Sequence, residues 1–403
     1  MTANNVPQAD SDDLGDRSFV GVFREAVADT QIWGLLTSTQ PFSPGTRGAT
    51  FRFVDLSRTD NRISAQSYFL QCQISASQIN ARREKNGTVL ATGGLSVTTL
   101  LVVLSGMALA TVGAYYAFPT KVAGFLIGLA RRKAGLMKKT AHLHDHAIAY
   151  LEGGSGYETI VLLHGFAGNK DHWLAMAPYL RDYHLVIPDL AGHGESSKRE
   201  DVKYDTLQQI GRLHQLVRQL QLGRFHLAGN SMGGMFSGAY AARYPQDVIS
   251  VGLFNAAGVK SPDPSDADEM IARGENPLSL ASETDFARLA TMAFFKQPFT
   301  PYPLKRLSIQ TTLANNPFNQ KMLQEISPEA HRLEADLPKI QVPTLILWGA
   351  DDRILNISCV PVFEAGLKNH QTVILPHCGH MPMIEKPRKT ANAYLAFLKG
   401  LPS

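Results

Sequence analysis

The sequence predicts an α/β protein built around a mostly parallel, doubly wound sheet. Residues 223–228, 344–348 and 372–376 are short apolar runs with the length and composition of buried strands. The first run leads into 235–242, a stretch rich in small residues that is typical of a packed helix. Each run ends in polar or glycine residues, at the strand ends where open parallel sheets build their sites.

A serine lies between the first of these strands and its helix. Residues 229–234 have the sequence GNSMGG. A strand, a tight glycine turn around a serine and a helix together form the context of a nucleophile elbow. The helix starts just after the serine, so its free backbone N–H groups face any anion formed there. Ser231 is therefore the candidate nucleophile, and an ordinary glycine turn is the alternative.

An acid and a base follow the two later strands. The run 344–348 is followed by Asp351 and Asp352, and the run 372–376 precedes His377 and His380. In this architecture the chain order is serine, then acid, then histidine, each on a loop after a strand. His380 follows a glycine, whereas His377 lies nearer the strand, so we favour His380.

Further motifs complete a family pattern. They are HGF at 164–166, DLAGHGES at 189–196, WGADD at 348–352 and GHMP at 379–382. With them, residues 140–400 resemble the α/β-hydrolases. The stretches 165–171 and 385–390 more narrowly resemble membrane-anchored monoacylglycerol lipases and bacterial esterases of lipase family V. The resemblance implies an α/β-hydrolase fold and a serine hydrolase.

The resemblance also implies residue roles. Ser231 would attack an acyl carbonyl after giving its proton to His380, and Asp352 would hold the imidazole in the right tautomer. The family pattern Trp-Gly-x-x-Asp selects Asp352 over the preceding aspartate. The backbone N–H groups of Phe166 and Met232 would form the oxyanion hole.

A long connection predicts a helical cap. About 90 residues separate the strand at 251–255 from the strand that begins at residue 344, far more than an ordinary connection needs. We expect an inserted cap at about 260–338, whose apolar side chains would form an acyl pocket. Candidate pocket residues are His164, Trp173, Phe294 and Phe295.

The N-terminal third predicts a membrane anchor. Residues 1–85 are polar and mixed, which favours a mostly disordered leader, and the resembled proteins usually begin after it. Residues 86–120 carry no charged side chain and predict a transmembrane helix. A basic juxtamembrane segment at 121–140 and the hydrolase domain at 141–403 would follow. The positive-inside bias then favours a single-pass protein with a cytoplasmic catalytic domain.

Several other functions are disfavoured. A formal charge of +4 over 403 residues is too small to indicate nucleic-acid binding. Neither a phosphate loop with a lysine nor a dinucleotide-binding glycine motif is present, and we expect no cofactor. Histidines alternate at 142, 144 and 146, but the sequence contains no second ligand cluster, so we predict no metal.

The sequence thus predicts a membrane-anchored serine hydrolase that cleaves carboxylic esters of lipid-like substrates at a bilayer. One alternative is a carbon–carbon hydrolase of ring-cleavage (dienoate) products, which needs a cation for the substrate carboxylate. Candidate cations are Arg212, Lys296, Lys305 and Arg306. The other alternative is a catalytically silent anchored scaffold. The sequence leaves the oligomeric state open.

Overall fold

The computed structural model describes residues 97–401, and in the N-terminal part the backbone of 20–27, 30–37, 47–59 and 62–74. The chain divides into two compact units, Met1–Leu95 and Ser96–Ser403. Each unit is described by itself below.

The first unit contains a four-stranded antiparallel sheet of consecutive strands. Its members are β1 (Val20–Val27), β2 (Thr30–Thr37), β3 (Arg47–Thr59) and β4 (Arg62–Ile74). These strands lie in a segment that the sequence analysis expected to be mostly disordered, so structure and expectation differ here. Antiparallel neighbours joined by short connections can satisfy their backbone groups locally, without the long apolar runs that the sequence analysis sought. The remainder of 1–85 lies outside the described residues.

The second unit begins with two helices and continues into an eight-stranded sheet. The helices are α1 (Val97–Ala117), α2 (Pro119–Lys133), α3 (Thr206–Gln219), α4 (Met232–Arg243), α5 (Asp266–Ala272), α6 (Glu283–Ala293), α7 (Tyr302–Ile326), α8 (Arg332–Asp336), α9 (Cys359–Gly366), α10 (Pro382–Glu385) and α11 (Pro387–Lys399). The strands are β5 (Leu136–His142), β6 (Ala147–Gly153), β7 (Thr159–Leu163), β8 (His184–Pro188), β9 (Phe225–Asn230), β10 (Val248–Phe254), β11 (Thr344–Gly349) and β12 (His370–Leu375).

The strand order is β12-β11-β10-β9-β7-β8-β6-β5. From β8 to β12 all neighbours are parallel, and only β6 and β5 join the sheet antiparallel. This confirms the predicted mostly parallel sheet. The strands β7, β9, β11 and β12 therefore all end at one edge, which is where their loops meet.

Two apolar cores cover the two faces of the sheet. Alternate residues of a strand enter opposite cores, since successive side chains point to opposite faces. In β11, Ile346 and Trp348 pack in one core, and Leu345 and Leu347 pack in the other. All four are fully buried. Burial on both faces explains why β11 is a continuous apolar run rather than an alternating one.

The four helices α5 to α8 are inserted between β10 and β11, within the range predicted for the cap. They contact the loops at the carboxyl edge of the sheet. The amide of His380 donates to the carbonyl of Ala293 at the end of α6, over 2.8 Å. A Cβ added at Gly192 would lie 2.7 Å from the sulfur of Met322 on α7. The cap therefore lies against the loops that follow β8 and β12.

The N-terminal helices require two corrections. Within residues 97–401, no helix combines the length and apolarity that a bilayer crossing requires. The predicted transmembrane helix over 86–120 is therefore not supported; residues 86–96 lie outside the described part. The helical path changes after Ala117, and α2 begins at Pro119, whose ring cannot continue the preceding helix.

The predicted juxtamembrane segment at 121–140 also divides. Its first part forms α2, but its end forms β5, which pairs antiparallel with β6 from Leu136 opposite Gly153 to His142 opposite Ala147. The sheet therefore begins five residues before the predicted domain start at residue 141. In β5 only Leu136 and Ala141 are buried and 137–140 are exposed, which suits a strand at the edge of the sheet.

Candidate active site

Ser231 lies in a strained turn between β9 and α4. Its φ of 57° and ψ of −122° place a residue with a side chain in a region that favours glycine. The serine is partly exposed, whereas its neighbours Asn230 and Met232 are buried. This is the geometry of a nucleophile elbow, in which strain presents the hydroxyl above the sheet edge.

Glycines allow the close packing around this turn. A Cβ at Gly229 would lie 2.2 Å from the carbonyl oxygen of Gly233. A Cβ at Gly233 would lie 2.4 Å from the carbonyl oxygen of Leu163 in β7. These distances are too short for any side chain, which explains why the motif needs glycine on both sides of the serine.

His380 and Asp352 are hydrogen bonded to each other. His380 Nδ1 lies 2.7 Å from Asp352 Oδ2, and both residues are buried. Because a carboxylate can only accept, Nδ1 carries the hydrogen and Nε2 is left unprotonated in the neutral ring. The structure thus brings together the acid and the base that the sequence placed 28 positions apart.

Asp352, rather than Asp351, holds the position next to the histidine. Its Oδ1 accepts from the amides of Ile354 and Leu355, at 2.8 and 3.0 Å. These contacts fix the carboxylate while Oδ2 faces His380. The amide of Asp351 instead donates to the carbonyl of Cys378 over 2.9 Å.

Asn255 contacts the same carboxylate and was not identified from the sequence. Its Nδ2 donates to Asp352 Oδ2 over 2.7 Å, and its Oδ1 accepts from the amide of Gly349 over 3.2 Å. Asn255 is fully buried and has a positive φ of 44°. Asn255 directly follows the apolar strand β10, which is adjacent to β11. A polar residue at such a position was the signal in the sequence that could have identified it.

A second asparagine joins the serine and histidine loops. Asn230 Nδ2 donates to the carbonyl of His380 over 2.9 Å and to that of Phe254 over 3.1 Å. Because Asn230 immediately precedes Ser231, this contact brings the two loops side by side. Within residues 97–401, the hydroxyl of Ser231 makes no hydrogen bond to the imidazole of His380. Such bonds are often long in unliganded hydrolases and shorten when substrate binds.

The two predicted oxyanion-hole amides lie on either side of the serine. A Cβ at Gly165 would lie 3.2 Å from Ser231 Cβ, so the loop carrying Phe166 passes directly beside the candidate nucleophile. Met232 is the first residue of α4, where amides have no partner within the helix. In the described part of the chain, the amides of Phe166 and Met232 donate no hydrogen bond. Both are available to an incoming oxygen atom.

His164 is a structural residue beneath the oxyanion loop. Its Nε2 accepts from the amide of Leu190 over 3.0 Å, and its Nδ1 donates to the carbonyl of Gly165 over 2.8 Å. Burial lowers the pKa of His164 well below its ordinary value, so the ring is neutral. The candidate pocket role is corrected, because neither ring nitrogen is free for a substrate.

Trp173 also departs from the pocket prediction. It is fully buried and packs against Phe254, with ring centroids 5.9 Å apart, in a core beneath the sheet rather than at a pocket mouth. Phe294 lies beside the histidine loop, since a Cβ at Gly379 would lie 2.9 Å from its Cα. Phe295 is 52% exposed and packs on His377.

Among the alternative ligands and cations, His146, Arg212 and Arg306 have structural partners. His146 is hydrogen bonded to Tyr204 over 2.9 Å, and Asp145 pairs with Arg212 over 2.8 Å. Arg212 is thus committed to an ion pair rather than to the site. Arg306 pairs with Glu283 on the cap surface. Among residues 97–401, no group of three or more potential metal ligands occurs.

Comparisons with known proteins agree with this geometry. The family model of the alpha/beta hydrolase fold matches residues 158–387. The chain is 35% identical to Lipase 1 of Psychrobacter immobilis over 276 residues, which cover 68% of this chain and 87% of that one. It is 31% identical to monoacylglycerol lipase ABHD6 of Mus musculus over 325 residues, covering 76% and 97%.

A solved structure is similar over the same region. The crystal structure of a membrane phospholipase A, described as a bacterial virulence factor, is 39% identical with a TM-score of 0.69 and covers 76% of this chain and 99% of that one. The sheet, the elbow and the matched sequence together assign the protein. The chain belongs to the α/β-hydrolase family, as a serine hydrolase of carboxylic esters.

Proposed function

We propose that Ser231, His380 and Asp352 form a catalytic triad that cleaves carboxylic esters of lipid-like substrates at a membrane surface. The observation that carries the proposal is the hydrogen bond of 2.7 Å from His380 Nδ1 to Asp352 beside a serine in a strained elbow. This tautomer leaves Nε2 as a base for the serine hydroxyl.

In the first step, Ser231 Oγ attacks the ester carbonyl while His380 Nε2 takes its proton. The developing oxyanion is stabilised by the amides of Phe166 and Met232, and Asp352 stabilises the imidazolium. The tetrahedral intermediate then breaks its bond to the alcohol oxygen, which leaves with the proton from His380. Water, activated by the same ring, hydrolyses the acyl-enzyme and restores the serine.

The distribution of exposed apolar residues supports a lipid substrate. On α1, on α2 and between them, the exposed large apolar side chains include Leu104, Met107, Val112, Tyr116, Phe118, Phe125 and Leu129. In the cap, Phe295, Phe299 and Tyr302 are exposed as well. Monomeric soluble proteins rarely expose such patches without a partner, and a lipid surface suits this one.

The helices and the cap are joined at this surface. The hydroxyl of Tyr115 accepts from the amide of Tyr302 over 3.1 Å, and the rings of Tyr116 and Tyr302 lie 5.3 Å apart. Basic residues follow in α2, where Arg132 and Lys133 are exposed. An apolar face with adjacent basic residues supports binding at the headgroup level of an anionic membrane.

Labelling with a fluorophosphonate tests the triad. Wild type should be labelled at Ser231 and should hydrolyse p-nitrophenyl esters, and Ser231→Ala should lose both properties. A dienoate substrate in the same assay separates ester hydrolysis from carbon–carbon hydrolysis. Labelling that persists in Ser231→Ala, or turnover of the dienoate alone, would refute the proposal.

A further inference from the structure

Lys170 and Asp189 form an ion pair inside the protein, next to the oxyanion loop. Lys170 Nζ lies 2.7 Å from Asp189 Oδ2, and the two residues are 1% and 0% exposed. The same carboxylate accepts the backbone amides of Lys170 and Glu195, each at 2.7 Å. Fully buried charges of this kind occur almost only when they are paired.

Such a pair contributes little net stability. Burial raises the pKa of Asp189 above its ordinary value, although Lys170 and the two backbone amides act to lower it. Replacing buried ion pairs by apolar residues is often neutral or stabilising. A contribution to stability is therefore a poor explanation for placing a lysine and an aspartate here.

The pair joins the loops that follow two adjacent parallel strands. Lys170 lies two residues after the tight turn that starts beside Ser231, in which the amide of Gly168 donates to the carbonyl of Gly165 over 3.0 Å. Asp189 directly follows β8. The loop after Asp189 wraps around its carboxylate, because a Cβ at Gly194 would lie 2.3 Å from that group.

We propose that Lys170 and Asp189 are positioning residues that hold the oxyanion loop so that the amide of Phe166 faces the reacting carbonyl. This inference rests on the proposed function, in which Phe166 donates to the oxyanion. The pair fixes the loop four residues after Phe166, and the bond from Leu190 to His164 fixes it two residues before. A small displacement of such a donor reduces transition-state stabilisation more than substrate binding.

The test uses Lys170→Met combined with Asp189→Asn. The double variant leaves no buried charge, and the asparagine oxygen still accepts the amide of residue 170. We expect kcat for a soluble short-chain p-nitrophenyl ester to fall about 10- to 100-fold, with KM within about threefold of wild type. Inhibition by an alkyl trifluoromethyl ketone, which forms a tetrahedral oxyanion on the serine, should weaken by a similar factor.

Arg212→Met is the matched control. It also breaks an ion pair, with the partly buried Asp145, and in the described part of the chain the side chain of Arg212 forms no hydrogen bond or ion pair with residues 164–171. We expect it to lower the melting temperature while kcat and ketone inhibition stay within about twofold of wild type. A double variant that keeps wild-type kcat and ketone inhibition would overturn the inference and leave the pair a purely structural role.

Asp189→Glu covers the case in which the double variant does not fold. It keeps both charges but lengthens the side chain by one methylene. We expect kcat to fall and inhibition by the ketone to weaken by similar factors. A folded Glu variant with both constants unchanged also overturns the inference. Fluorophosphonate labelling of Ser231 in wild type is measured first, because its absence refutes the proposed function itself, independently of these variants.

Discussion

The side-chain amide of Asn255 donates a hydrogen bond of 2.7 Å to Oδ2 of Asp352. The same oxygen accepts from Nδ1 of His380. The loop after β10, which carries Asn255, therefore helps to fix the carboxylate of Asp352. Asn255 is buried and its φ of 44° lies in the left-handed region, where asparagine and glycine are best tolerated. This arrangement leads to the first prediction.

Asn255→Gly should lower kcat about tenfold, since it removes one charge-assisted hydrogen bond without adding backbone strain. Steady-state kinetics with a soluble ester measure kcat, and thermal unfolding measures whether the backbone is strained. Asn255→Ala is the comparison, and its unfavourable φ should lower the melting temperature further. Unchanged kcat in the glycine variant would show that Asp352 is oriented without Asn255.

Asp352→Asn should lower kcat by about four orders of magnitude, because an amide cannot hold the imidazole in the productive tautomer. Asp351→Asn, its neighbour and matched control, should stay within about twofold of wild type, as its carboxylate does not face His380. Both are measured by burst-titrated turnover of a p-nitrophenyl ester. The reverse ranking of the two variants would assign the acid to Asp351.

Gly165→Ala should reduce kcat about tenfold, since the added methyl group would lie 3.2 Å from Ser231 Cβ and displace the nucleophile or the oxyanion loop. Gly211→Ala in α3 meets no atom within 4 Å and should stabilise the protein by about 0.5–1 kcal/mol. Turnover and urea unfolding, each measured for both variants, check the expected loss of kcat and the expected gain in stability. Equal turnover in the two would contradict close contact at Gly165.

The free energy of unfolding should decrease below pH 6.5, partly because of His193. Burial lowers the pKa of His193 to about 4, whereas an unfolded histidine titrates near 6.5. Between these values the unfolded chain binds a proton that the folded chain excludes, so stability falls as pH falls. From pH 7 to 5 this amounts to about 2 kcal/mol.

Urea unfolding at pH 7, 6 and 5 measures this dependence. His193→Gln should flatten it, whereas His144→Gln, at an exposed position, should leave it as in wild type. If the free energy of unfolding changed equally with pH in wild type and both variants, His193 would not be the titrating group.

Phe125→Ser and Leu129→Ser should each weaken cosedimentation with vesicles of anionic phospholipid about tenfold, since each removes an apolar side chain from the face proposed to bind lipid. These residues are 70% and 54% exposed. Turnover of a soluble ester should not change. Tyr157→Ser, at a fully exposed position outside α1, α2 and the cap, is the control. Equal binding by all variants would exclude this face.

Much of the fold could be predicted because its signals are local. The strands β9 and β11 are buried along their whole length, β12 contains the apolar run 373–375, and the turn at Ser231 needs glycines that no other residue type replaces. The order of serine, acid and histidine follows from strand order in a parallel sheet. The strands between residues 20 and 74 were missed, because antiparallel pairing depends on partners rather than on apolar runs.

Two of the four pocket predictions, those for His164 and Trp173, differ from the structure for a related physical reason. Trp173 is large and apolar and lies soon after the oxyanion loop, so sequence position alone suggested a pocket mouth. Trp173 ends a short 3₁₀ helix, Lys170–Trp173, and the direction of that helix places its ring beneath the sheet against Phe254. His164 likewise satisfies both ring nitrogens with backbone groups of other residues.

The sequence by itself determined the family, and it predicted Ser231 as the nucleophile and the loops that carry the acid and the base, because these depend on residue type and on order along the chain. Only the tertiary structure shows the hydrogen bond between Asp352 and His380, the support of that carboxylate by Asn255 and the pairing of Lys170 with Asp189. These contacts join residues from different loops at one sheet edge. Their geometry follows from strand pairing across the sheet, which no single segment of sequence contains.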